Sequence, residues 1–245
     1  MGRRRFLALG VILLVTLFAC GGDDGDAGGA RNPGGRGGAA TVHTVPELEP
    51  VVRALVDAYN GASGAGVRLV VGPQPSTAQA AAEGRPAILP GPWLTVVNAD
   101  SVAIGRNLAI IAVPAGNPRQ VTGVGAFARD SGLNTAVCAV DSPYGNFGSI
   151  VLARGGVQPD PARVSQGCDA DALARVARGE LDAALVFRSF LQIPGGVEVV
   201  NIPEGQNLVI DVRYAPVSGN TPGSFEAFLT SEPAKQVLTR HALLP

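Results

Sequence analysis

Short β-rich runs alternate with amphipathic helical stretches along this chain from residue 42 to its end. That alternation points to one fold class, α/β, in which helices cover both faces of a sheet. The strand-like runs are 42–45, 67–71, 107–114, 135–140, 183–187, 197–200 and 208–214. Between the first two, Pro46 suits a helix start, and Val51, Val52, Leu55, Val56 and Tyr59 recur at helical spacing. The glycines within 61–66 end that helix, and Gly84 stops another over 77–83. Ser142-Pro143-Tyr144-Gly145 opens a helix that runs through Leu152 and Ala153, after a short one at Phe127-Ala128. Asp169 begins the next, with Leu173, Val176 and Ala177 on its apolar face, and two more at 225–229 and 233–238 close the chain. The stretch 87–97 mixes strand and turn signals and stays unassigned. No internal repeat is present.

The amino terminus is different in kind. Arg3-Arg4-Arg5 leads into an apolar run from Phe6 to Phe18 that ends in Leu17-Phe18-Ala19-Cys20. At about 13 residues the run falls short of the roughly 20 that span a bilayer, so it reads as an export signal. The Leu-x-Ala-Cys ending resembles the lipobox of bacterial lipoproteins, which implies a signal peptide over 1–20 and Cys20 as the lipidated mature residue. An ordinary signal peptide with a chance cysteine is the other reading. Arg3-Arg4-Arg5-Phe6-Leu7 also resembles a twin-arginine signal, and both export routes stay open. Residues 21–41 are Gly-rich and hold nothing that could anchor a core, so a disordered tether is expected there. As a random coil its reach is roughly 25 Å. The expected location is extracytoplasmic, lipid-anchored to the cell membrane.

Formal net charge is −1 with both signs interspersed, which argues against nucleic acid and against an acidic membrane patch as partners. The remaining cysteines, Cys138 and Cys168, are either a disulfide or two buried free thiols. An even pair in an exported domain favours the disulfide, whose loop of about 30 residues would contribute roughly 3–4 kcal/mol. Enzyme chemistry finds no foothold. His43 and His241 stand apart from any ligand-spaced partner, no Gly-x-Ser-x-Gly elbow exists, and Gly123-Val124-Gly125 lacks the third glycine of a dinucleotide loop. No catalytic residue, metal site or cofactor is expected, and the chain reads as a monomer.

From Asn107 onward the chain resembles the periplasmic molybdate-binding proteins of ABC transporters. The likeness runs through Asn107 to Pro114, Asn117-Pro118 and Asp141-Ser142-Pro143-Tyr144-Gly145. It is strongest in Val176-x-x-Gly179-Glu180-x-Asp182-Ala183-x-x-Val186-Phe187, and continues in Ile202-Pro203, Tyr214-Ala215-Pro216-Val217 and Phe225-x-x-Phe228-Leu229. The resemblance implies a two-lobe periplasmic-binding-protein fold with two crossing strands. Lobe 1 would hold 42–113 and 211–245, and lobe 2 would hold 114–210, with a hinge near Val113-Pro114 and Tyr214. It also implies an oxyanion such as molybdate or tungstate in the interlobe cleft, delivered to ABC permease subunits. Helix amino termini can bind such an anion through backbone N–H groups alone. By alignment, Tyr144 with Gly145 and Asp169 occupy two such helix starts.

Departures from the family pattern fall on the ligand. Glu47 stands where a serine hydroxyl is usual. Gly72-Pro73-Gln74-Pro75-Ser76-Thr77 replaces a Ser-Ser-Gly turn, leaving Ser76 or Thr77 as substitutes, and its prolines remove N–H donors. Phe187 takes the place of a tyrosine whose hydroxyl binds the anion. Two carboxylates, Glu47 and Asp169, near a dianion are unfavourable in a desolvated cleft. Each of these residues also has an ordinary reading: Glu47 as a first-turn acid, Asp169 or Ser76-Thr77 as caps, Phe187 as core and Tyr144 as a surface aromatic. The alternative function is a lipoprotein of this fold that binds an organic solute or acts as a sensor or interaction module, without oxyanion transport.

Overall fold

In the computed structural model, which describes residues 40–137, 145–158, 164–166, 170–190, 195–216 and 224–245, the α/β class holds. Strands β1 (Thr41–Thr44), β2 (Arg68–Val71) and β3 (Ala87–Pro90) are parallel, with β1 in the middle. A 3-10 turn, Pro46–Leu48, leads from β1 into α1 (Glu49–Ser63). The helix buries Val51, Val52, Leu55 and Val56, the expected stripe, each such side chain giving about 1.5–3 kcal/mol. Gly64, at φ 68°, ends it in a conformation that suits glycine. Helix α2 (Gln74–Ala82) joins β2 to β3.

The stretch that sequence left unassigned is two elements. Ala87-Ile88-Leu89-Pro90 is a strand buried at every position, and α3 (Gly91–Val96) follows at once. Strand Pro90 is tolerated because its ladder partner, Val212, lies in an antiparallel strand that ends the pairing there.

Strand β4 (Val102–Pro114) is 13 residues long and passes through both halves of the sheet. Its first part pairs antiparallel with β9 (Val209–Ala215), and its second part with β7 (Ala183–Phe187) and β8 (Val197–Asn201). Sequence placed its start at Asn107. The earlier part was not legible because Ala103 and Arg106 are exposed and a bulge lies between Ala103 and Gly105, which breaks the period-two pattern. The second half holds β5 (Thr135–Val137) between β6 (Val164–Gln166) and β7, all parallel, with α4 (Gly145–Arg154) and α5 (Ala170–Ala177). A 3-10 turn at Val124–Phe127 precedes β5, and another, Arg188–Phe190, follows β7. Helices α6 (Phe225–Leu229) and α7 (Glu232–Arg240) return to pack on α1. The sheet order among the described residues is β2-β1-β3-β9-β4-β7-β5-β6, with β8 also on β4.

Candidate functional site

Parallel strands put their following loops at one edge of the sheet, and a ligand crevice forms where successive connections leave in opposite directions. Both halves have this arrangement: β1 sits between β2 and β3, and β5 sits between β6 and β7. The two carboxyl edges meet. The 3-10 turn after β1 packs against the 3-10 turn after β7. Trp93 of α3 lies 6.5 Å from Phe147 of α4 at 59°, and Phe147 lies 6.5 Å edge-on to Phe187 of β7 at 79°. These contacts define a junction of two charged turns over packed aromatic rings.

Of the expected ligand residues, Glu47, Ser76 and Thr77 follow β1 and β2, and Gly145 and Phe187 lie in the second half. Glu47 is half-buried in the first turn, held by Leu48, which is fully buried. Ser76 is exposed, and its hydroxyl donates to the Pro73 carbonyl at 2.9 Å. Thr77 is 2% exposed, and its Oγ1 lies 3.1 Å from the Pro73 carbonyl, 3.2 Å from that of Gly72 and 3.4 Å from that of Thr44. A hydroxyl has one proton, so both side chains place theirs on the main chain of their own turn. Thr77 N–H is likewise taken by Pro73 at 3.1 Å. Phe187 is 1% exposed and carries no donor. Gly145 starts α4 beside the junction. Tyr144, Asp169, Cys138, Cys168 and Cys20 lie outside the described residues.

Sequence reasoning missed three contributors. Asn107, fully buried on β4, donates from Nδ2 to Ser189 Oγ at 2.8 Å and accepts from Ser189 N–H at 3.1 Å. This reciprocal pair ties the 3-10 turn after β7 to the strand that crosses both halves. A buried Asn inside an apolar strand was the available signal. Trp93, the chain's one tryptophan, hid in the unassigned stretch. Arg188 follows directly on the apolar strand 183–187, and its Nε is buried without a hydrogen-bond partner.

Elsewhere, a cavity of about 580 Å³ is lined by Gly91, Thr95, Ser101, Asp211 and Arg213. Arg213 is satisfied there, bonding Ser101 Oγ at 2.9 Å, the Ser101 carbonyl at 2.7 Å and Asp211 at 3.2 Å. Burial lowers the proton affinity of His43, with Arg85 adding to the effect, and raises that of Tyr214, with Glu226 adding. Among the described residues no cluster of three or more His, Cys, Asp or Glu could hold a metal ion, and no helix is long and apolar enough to cross a membrane.

Residues 40–243 match the profile of the family described as bacterial extracellular solute-binding protein. A comparison with curated protein sequences finds no match. The fold is that of several solved structures. The Azotobacter vinelandii periplasmic molybdate-binding protein superposes with a TM-score of 0.64 at 14% identity, over 84% of this chain and 99% of that one. L-phospholactate-bound PEB3, a Campylobacter jejuni protein, gives 0.66 at 16%, over 84% and 99%. The sulfate-binding protein SubI of Mycobacterium tuberculosis gives 0.61 at 16%, over 83% and 85%.

Proposed function

The chain belongs to the bacterial extracellular solute-binding proteins, and we propose that it captures a small organic anion at the junction of its two carboxyl sheet edges. It then delivers that solute to the permease of an ABC importer. The observation that carries this choice is the use of the Ser76 and Thr77 hydroxyl protons on main-chain carbonyls, beside a donorless Phe187. Binding a bare tetrahedral dianion takes many converging donors, and those the resemblance implied are turned inward. Half-buried Trp93, packed on Phe147, suits a solute with an apolar part, and the amino-terminal end of α4 favours its negative group.

Lobe 1 comprises 42–113 with 211–245 and lobe 2 comprises 114–210, closing on the solute about β4 and β9. Cys20 carries the lipid that holds the chain, as a monomer, at the outer face of the cell membrane, with 21–41 as tether. Intact mass of membrane-extracted protein tests the anchor: a diacyl or triacyl adduct on Cys20 is expected, and an unmodified chain cut elsewhere refutes it.

Molybdate or tungstate is the second reading, favoured by the molybdate-binding neighbour. Calorimetric titration decides between them. The native chain is expected to bind small carboxylates or phosphates in preference to molybdate, tungstate and sulfate. The double change Glu47→Ser and Phe187→Tyr adds two hydroxyls and removes a charge, so molybdate affinity should rise about tenfold or more. Tight molybdate binding by the native chain refutes the organic-anion reading.

A further inference from the structure

We propose that Arg188 is the residue that recognises the charge of the solute. The inference rests on the solute-capture reading above and names the group that selects its ligand. Arg188 opens the 3-10 turn at the carboxyl end of β7, one residue beyond Phe187. Its side chain is half-buried, and Nε is out of contact with solvent yet bonds nothing. Among the described residues it makes neither hydrogen bond nor ion pair. The other half-buried arginine of this sheet, Arg213, is saturated by Ser101 and Asp211, so the fold satisfies a guanidinium where it is structural.

Buried polar groups are almost always paired, and a charge more so, because the desolvation penalty is otherwise uncompensated. A guanidinium whose Nε is buried without a hydrogen bond among the described residues, at a junction where two sheet edges meet, has a donor to offer a ligand. Flexibility of the turn does not relieve it. Ser189, the next residue, is fixed through both its N–H and its hydroxyl to Asn107 on β4, which holds the turn against the first half of the molecule.

The chemistry of the partner follows from the shape of the donor. A guanidinium presents parallel N–H groups that match the two oxygens of a carboxylate or the edge of a phosphate. Phe187 precedes it in the chain, half-buried Trp93 stands at the same junction 6.5 Å from Phe147, and Glu47 lies on the facing turn. The ligand is thus an organic anion with one carboxylate or phosphate head at Arg188 and an apolar body against Trp93. Glu47 disfavours a second negative group on that body, so monoanions are preferred over dicarboxylates.

The test uses the full chain in detergent, with Arg188→Met and Arg188→Lys. The probes are lactate, benzoate, succinate, phosphate and the neutral amides lactamide and benzamide. Calorimetric titration should show the native chain binding at least one monoanionic carboxylate or phosphate, with the amides inert. Arg188→Met should weaken that binding at least about tenfold, and Arg188→Lys, which keeps charge but not the fork, by less. Relief of the unbonded buried Nε should raise the melting temperature of ligand-free Arg188→Met by roughly 2–4 °C. A lower melting temperature for Arg188→Met, or affinity retained within about twofold, overturns the assignment. If the native chain binds the same acids as Arg188→Met, solute capture stands and only the role of Arg188 falls. If the native chain binds no probe, or the amides as well as the acids, both readings fall.

Discussion

Replacing Asn107 with alanine should loosen the site from behind, and its magnitude can be worked from the contacts. Asn107 is fully buried, and its hydrogen bonds include Nδ2 to Ser189 Oγ at 2.8 Å and Oδ1 from the N–H groups of Ser189 and Leu108, each at 3.1 Å. The Leu108 bond is local and readily replaced. The other two contribute about 1 kcal/mol each, and stranding the Ser189 N–H in a site 6% exposed adds about 1–3 kcal/mol. Asn107→Ala is thus expected to destabilise the protein by about 3–5 kcal/mol. With a urea m-value of about 3 kcal/mol/M, the midpoint should fall by roughly 1–1.7 M. Ser189→Ala keeps the backbone bond and loses only the hydroxyl acceptor, so about 1–2 kcal/mol is expected from it. The two losses should not add, since they share partners. Equilibrium urea unfolding of the native chain, both single variants and the double variant supplies all four numbers. A midpoint for Asn107→Ala within about 0.2 M of native would refute the clamp.

Gly155→Ala should destabilise by about 1–3 kcal/mol, because a Cβ there overlaps Val124 Cγ2 and Val124 is buried; differential scanning calorimetry checks it, and an unchanged melting temperature refutes it. Burial holds the imidazoles of His43 and His241 below the ordinary 6.5, with Arg85 and Arg240 adding to the effect. The folded state therefore prefers the neutral rings, so their stability contribution is complete above 6.5 and declines as pH falls through the lowered folded values. Melting temperature should fall with acidification in that window, and a His43→Gln, His241→Gln variant should show a shallower slope; an equal slope refutes the assignment. Cys138 and Cys168 are expected to be bonded in the exported protein, and thiol labelling of the unreduced native chain at both positions would refute the bond.

Much of the fold was legible in the chain itself. Apolar residues at helical spacing, Val51, Val52, Leu55 and Val56, specified the buried face of α1, and continuous apolar runs specified β7 and the second part of β4. These patterns are local, since a residue's side follows from its backbone period alone. The match of residues 40–243 to the solute-binding family agrees with the resemblance read from the carboxyl half. Tertiary structure decided the rest. Whether a hydroxyl proton serves a ligand or a neighbouring carbonyl depends on where Pro73, Gly72 and Thr44 lie around Thr77, and residue type carries no record of that. Nor can one position announce that Asn107 and Ser189, 82 residues apart, share two hydrogen bonds, or that Arg188 is left without one. A side chain's chemical potential to bind belongs to its type, but whether that potential is already spent is set by non-local packing, which brings the competing partners within reach.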